Sequence, residues 1–220
     1  MKIAIILGTG LENLNKEITS LSTKNIELKA FYRHGAIHMH GPNELEYDKI
    51  KQLKEQGFDC IIAFTAVGSL QEKIQPKDFI IIHDFVDWAQ RDLKLLDTEH
   101  LSMVNAFDNG LSWGLFEACN KLENLDVHKG VVITIKGPRF STISESKIFK
   151  QWADVINMTT SSEAIMAKYC DIKYSAIGMV TDYDNLFGTN VDMNEIMKNM
   201  KENKKKIIPI LKNVVKELEQ

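Results

Sequence analysis

Short runs of β-branched and aliphatic residues alternate with longer amphipathic stretches along the whole chain, and that alternation confines the fold to α/β layering. Ile3–Leu7, Leu28–Tyr32, Cys60–Thr65, Phe79–His83, Val131–Ile135 and Tyr174–Val180 are predicted strands. Several are apolar throughout, the pattern of strands covered on both faces. Asn43–Gln56 is a predicted helix, with Asn43 as its cap and Gly57 as its stop. Leu111–Leu122 places Leu111, Leu115, Ala118, Cys119 and Leu122 on one stripe. Ser144–Trp152 and Ser161–Tyr169 are further helices, and Thr160 with Glu163 has the spacing of a capping box. A last helical region starts near Asp192, and Pro209 should break or kink it, having no N–H to donate. No repeat, low-complexity tract or linker interrupts the pattern. The expectation is one domain over residues 1–220, with a central mixed β-sheet flanked by helices.

At 220 residues the chain can bury a core that needs no staple. Its net charge of −3 is spread along both signs, which argues against a general nucleic-acid surface. Only Lys198–Lys216 is locally basic, and a solvated helix face explains it. Cys60, Cys119 and Cys170 sit in or beside apolar runs, without the spacing of metal ligands or a redox pair. They read as free buried thiols in a reducing compartment. The start, MKIAIILGTG, is too short in its apolar part for a signal peptide, and no run is long enough to cross a bilayer. The expectation is a soluble cytoplasmic protein.

Chemistry gathers where the predicted strands end. Gly8-Thr9-Gly10 can turn backbone N–H groups and a hydroxyl towards an anion, or can simply turn the chain. Arg33-His34 follows the second strand, and an arginine grips phosphate through two parallel hydrogen bonds. A surface arginine beside a packed histidine fits the same residues. Thr65-Ala66 closes the third strand, the place where open α/β sheets collect ligands. Met158-Thr159 precedes a helix whose positive end would favour an anion, although plain capping needs no ligand. Asp182 and Asp184 can face one ligand from an extended loop, or can be solvated turn residues. A carboxylate in a poorly solvated place keeps its proton longer and can donate it. The set, with no metal cluster, no Walker loop and no nucleophile elbow, suits a reaction that binds phosphate and protonates a leaving group.

Six segments carry a resemblance to a known family. They are ILGTGL around Gly8–Gly10, FYRHGAIH from Phe31, TAVGSLQEKIQPKDFIIIHDFVD from Thr65, IKGPRFSTISES from Ile135, WADVINMTTSSEA from Trp152 and AIGMVTDYD from Ala176. In this order they resemble the trimeric purine nucleoside phosphorylases, and within them the 5′-methylthioadenosine phosphorylases. GPRFST, NMTT and TDYD are the specific motifs; GTG alone is not.

The resemblance implies roles by position. Thr9, Arg33, His34, Thr65, Ala66 and Thr159 match the phosphate site. Met158 matches the methionine under the ribose, with Asn157 beside it; Phe140 and Ser141 match the lining of the base pocket. Asp182 and Asp184, flanking Tyr183, match the pair that reads the purine. Asp182 would serve N7 and Asp184 the 6-amino group. Val191 matches the border of the 5′-substituent, and His100 a histidine that reaches a neighbouring subunit's site. The implied partners are a nucleoside and inorganic phosphate, the latter a co-substrate; the family needs no cofactor or metal. The implied assembly is a homotrimer, with pairing into a hexamer open. Departures fall in the short segment between Gly10 and Arg33, at Ala36 and Glu46, and between Asp184 and Val191, which borders the 5′ end. Three rival functions stay open: phosphorolysis of inosine or guanosine, hydrolysis by water, and a non-catalytic nucleoside-binding protein.

Overall fold

In a computed structural model the structure describes residues 1–34, 44–91, 100–188 and 190–219. The chain runs β1 (Lys2–Leu7), α1 (Asn15–Ser20), β2 (Glu27–Tyr32), α2 (Glu44–Glu55), β3 (Cys60–Ser69), β4 (Phe79–Asp87) and α3 (Asn109–Asn120). It continues through β5 (Val127–Thr134), α4 (Ile143–Phe149), β6 (Val155–Asn157), α5 (Thr160–Tyr169), β7 (Lys173–Asp182) and α6 (Met193–Leu218). All seven strands join one mixed sheet in the order β2-β1-β3-β6-β5-β4-β7, and β3 also pairs with β7. That extra pairing closes β3, β6, β5, β4 and β7 into a ring, with β1 and β2 as an appended parallel wing.

Alternation along the strands explains the layers. Ile3, Ile5 and Leu7 of β1 and Cys60, Ile62 and Phe64 of β3 face α1, α3 and α6. Ala4, Ile6, Ile61 and Ala63 face the opposite layer, built by α2 and α5. A side-chain period of two buries both faces when helices cover both. The expected strands are all present, and β3, β4 and β5 extend beyond their predicted limits. Asn43, the predicted cap of α2, lies outside the described residues, as do Ala36 and the side chain of Glu46.

Two local expectations are corrected. Pro209 does not break α6, which runs unbroken from Met193 to Leu218. Pro209 and Lys205, whose carbonyl it leaves without an N–H, are both exposed residues, while Ile207, Ile210 and Leu211 hold the helix by their burial. Thr160 and Glu163 do not form a capping box: α5 has no side-chain cap from its N-cap residue, Thr159. A capping box does form at α4, between Thr142 and Glu145.

Candidate active site

A cavity of about 330 Å³ opens where the ends of β1, β2, β3, β6 and β7 converge. Thr9, Arg33 and His34 line one end, and Asp182 and Asp184 belong to the same wall system, with Phe140 and Met158 also lining it. The sheet itself creates the space. The β3 register shifts between Val67 and Gly68, so the end of β3 pairs with both β6 and β7. Thr65 and Ala66 therefore lie inside a strand that runs on to Ser69, rather than at its end as expected. Gly68 is there because the walls come close: a Cβ on it would lie 3.0 Å from Asp182 Oδ1 and 3.2 Å from the Asp184 amide.

Asn157 organises the inner end. Its Oδ1 accepts from Thr134 Oγ1 at 3.1 Å and from the amides of Thr159 and Thr160 at 3.3 and 3.4 Å. Its Nδ2 donates to Thr160 Oγ1 at 2.6 Å and to Thr65 Oγ1 at 3.3 Å. The next amide of α5, Ser161, donates to Thr134 Oγ1 at 3.0 Å. The first amides of α5 are thus spoken for, and the anion-binding helix end expected there is not an open one. Thr159 still lines the cavity, and its hydroxyl is buried and has no hydrogen-bond partner. A buried hydroxyl without a partner is costly, and a ligand oxygen would satisfy it.

Arg33 is not a surface residue: it is 4 % exposed. Its Nε and Nη2 donate to the two carboxylate oxygens of Glu163, the latter at 3.1 Å, and Nη1 donates to the Phe64 carbonyl at 3.3 Å. Tyr174, wholly enclosed, donates its hydroxyl to Glu163 Oε2 at 2.8 Å. Burial, then the Glu163 charge, push the Tyr174 hydroxyl well above its ordinary pKa, so it stays a donor.

The other end is acidic. Asp182 accepts from Thr181 Oγ1 at 2.6 Å and from the Asp184 amide at 2.7 Å. Asp184 has φ +49°, a left-handed conformation that brings its carboxylate back over the turn. Its Oδ2 accepts from Ser146 Oγ of α4 at 2.6 Å. Burial pushes the Asp182 carboxyl up to about 6, against the pull of its two donors. Asn199 of α6 donates to the Thr181 carbonyl at 2.7 Å and so fixes the strand end that carries Asp182. The α6 start adds Met193 and Ile196 to the cavity wall.

Thr9, Arg33, His34, Thr65, Ala66, Phe140, Asn157, Met158, Thr159, Asp182 and Asp184 all line this one cavity. Other predicted residues are not in its lining. Ser141 is buried nearby, its carbonyl taking a hydrogen bond from Asn185. Tyr183 stacks edge-on against Phe187, with ring centroids 5.1 Å apart. Val191 packs on the core, and His100 is exposed. Glu163, Tyr174, Ser146 and Asn199 went unrecognised as site residues. None of them carries a local signal for the site, since the demand of Arg33 for a carboxylate partner follows only from its burial. Among the described residues no cluster of His, Cys, Asp and Glu could hold a metal ion.

A cavity with hydroxyls and an arginine at one end and a desolvated carboxylate at the other suits a class of reaction in which a bound anion displaces a base-like leaving group from carbon. The chain belongs to the phosphorylase superfamily, whose sequence model matches residues 2–216. It is 35% identical to the S-methyl-5′-thioadenosine phosphorylase of Ciona intestinalis, over 97% of this chain and 88% of that protein. It is 36% identical to the enzyme of that name from Pyrococcus furiosus, over 97% of this chain and 91% of that protein. The Ciona alignment spans 246 positions against 220 residues here, so this chain lacks segments that relative carries. The fold matches that of methylthioadenosine phosphorylase from Schistosoma mansoni, solved with adenine, at a TM-score of 0.85 and 24% identity, over 100% of this chain and 93% of that one.

Proposed function

We propose that the protein cleaves 5′-methylthioadenosine with inorganic phosphate, giving adenine and 5-methylthioribose 1-phosphate. The observation that carries this reading is one cavity lined by Arg33, by Thr159 with its unpartnered buried hydroxyl, and by a carboxyl whose pKa is pushed up to about 6. The names of its relatives point to the same reaction.

Phosphate sits against Thr9, Arg33, His34, Thr65 and Thr159, with the ribose over Met158 and the base between Phe140 and the aspartates. The C1′–N9 bond lengthens and positive charge spreads over C1′ and the ring oxygen. The departing adenine gains electron density, and Asp182 donates a proton or hydrogen bond at N7. A phosphate oxygen then forms the new bond to C1′. Holding two reactants face to face, with charge aimed at the transition state, supplies the rate without a cofactor. Asp184 accepts from the 6-amino group. A 6-oxo base presents an acceptor there, and a site built to hydrogen-bond one group rejects the other strongly.

Adenine release from methylthioadenosine should therefore depend on phosphate, and inosine should turn over poorly. Following free base with and without phosphate checks this; equal release in phosphate-free buffer would assign a hydrolase instead. The same reading takes the enzyme as a cytoplasmic homotrimer serving purine salvage, with His100 reaching a neighbouring copy's cavity. Light scattering at micromolar concentration should give three chains, and an active monomer would contradict it.

A further inference from the structure

Arg33 reaches the cavity from a socket that no phosphate contact explains. Its guanidinium is gripped edge-on by Glu163, whose carboxylate receives both Nε and Nη2. Glu163 is 5 % exposed and Tyr174 is 1 % exposed, so the support behind the guanidinium is buried. Tyr174 closes the far side by donating to Glu163 Oε2 at 2.8 Å. The Phe64 carbonyl, on β3, receives Nη1 at 3.3 Å. Above the guanidinium lies Gly8, where a Cβ would come 2.5 Å from Arg33 Nη1 and 3.1 Å from the Phe64 carbonyl. The ion pair spans 130 residues of chain and ties the end of β2 to the first turn of α5.

A buried arginine without a counter-charge would turn out to water or force the site open. A carboxylate placed on the cavity edge of the guanidinium would compete with phosphate. Glu163 does neither: it comes from the first turn of α5, the helix that Thr159 caps. Glu163 does not line the cavity, whereas Arg33 and Thr159 do.

We infer that Glu163, backed by Tyr174 and given room by Gly8, is a positioning residue that sets the Arg33 guanidinium for phosphate. This rests on the phosphorylase reading. A bidentate pair fixes the plane of the guanidinium as well as its place, and phosphate recognition needs both. The counter-charge also keeps Arg33 in its socket between turnovers, so phosphate meets a group already oriented. The pair acts on phosphate capture and leaves nucleoside recognition to the opposite end of the cavity.

The test is E163Q, with Michaelis constants for phosphate and for methylthioadenosine measured separately and the melting temperature recorded. The expected result is a phosphate KM raised roughly 10- to 100-fold, the range for a lost hydrogen bond to a charged group, with the nucleoside KM moved less than about twofold. In an R33A background E163Q should add nothing to the phosphate KM, because residues that act through one another are not additive. An unmoved or lowered phosphate KM in folded E163Q would overturn the inference, as would an equal rise in both constants. Should E163Q fail to fold, Y174F and G8A decide. Each should raise the phosphate KM selectively, Y174F by roughly three- to tenfold, less than E163Q because its hydrogen bond to the Glu163 carboxylate acts on Arg33 at one remove, and no change in either would overturn it. Wild-type kinetics separate the two layers. A wild type indifferent to phosphate removes the phosphorylase reading itself, whereas a phosphate-dependent wild type with an unmoved E163Q removes only the role of Glu163.

Discussion

The two ends of the cavity solve opposite electrostatic problems. At the phosphate end, a full positive charge is buried and compensated by Glu163, with Tyr174 donating to the same carboxylate and the Phe64 carbonyl accepting from Nη1. At the base end, the Asp182 carboxylate is withdrawn from water and given only a hydroxyl and an amide. Compensation keeps Arg33 charged and fixed, ready for an anion. Incomplete compensation keeps Asp182 near the point of taking a proton, ready to give one. The difference shows that burial alone does not define a site; the partner supplied with the burial decides whether a group becomes an anchor or an acid.

The largest expected effect breaks the acidic end. Asp182→Asn should lower turnover by about 10²- to 10⁴-fold, the usual worth of general acid catalysis, with nucleoside binding far less affected. Asp184→Asn should act differently, narrowing the preference for 6-amino over 6-oxo bases while turnover on methylthioadenosine falls less. A normal turnover number in folded Asp182→Asn would return both aspartates to turn residues. Stability supplies an independent reading. The folded pKa of Asp182 is raised from 3.8 to about 6, so the native state binds the proton more tightly than the unfolded chain. Its contribution is favourable below about pH 4 and is lost as pH rises towards 6, by an amount on the order of 2–3 kcal/mol. Asparagine carries no such charge. The melting temperature of Asp182→Asn relative to wild type should therefore improve between pH 4.5 and pH 7.5, and a difference flat with pH would show that Asp182 is not desolvated.

The same contrast explains what was legible in the sequence. Apolar runs bounded by turn residues give the strands, because strand burial is written into neighbouring residues. The ring closed by β3 and β7 is not written that way, since it depends on β3 pairing along most of its length with a strand far along the chain, the register shifting only at Val67/Gly68. At the site, Arg33, Thr159, Asp182 and Asp184 stood out through short motifs, and all line the cavity. Their supports did not. Glu163 has the spacing of a cap to Thr160 and is drawn instead to an arginine 130 residues away. Ser146 meets Asp184 across 38 residues, and Asn199 meets the Thr181 carbonyl across 18. Local spacing cannot express contacts that only tertiary folding brings together. Pro209 shows the converse, a strong local breaker overruled by the core contacts on either side of it.

The smallest effect sharpens the comparison most cleanly, because binding and stability should move in opposite directions. Thr159 ends in a buried hydroxyl without a hydrogen-bond partner, although its backbone N–H is held by Asn157 at 3.3 Å. If that hydroxyl exists to meet phosphate, the unliganded protein carries its desolvation cost and recovers it only in the complex. Valine keeps the shape and removes the cost. Thr159→Val should leave the unliganded melting temperature unchanged or raise it, by the equivalent of up to about 1 kcal/mol. Phosphate binding should weaken by roughly three- to tenfold, the worth of one neutral hydrogen bond, with the nucleoside KM little changed. The stabilisation that saturating phosphate confers on wild type should shrink by RT times the logarithm of that factor, about 0.7–1.4 kcal/mol, in the variant. An ordinary capping threonine would behave otherwise: its loss would lower the melting temperature and spare phosphate binding. Thermal melts with and without phosphate, run on both proteins at one pH, separate the two, and a destabilised variant with wild-type phosphate affinity would remove Thr159 from the phosphate site.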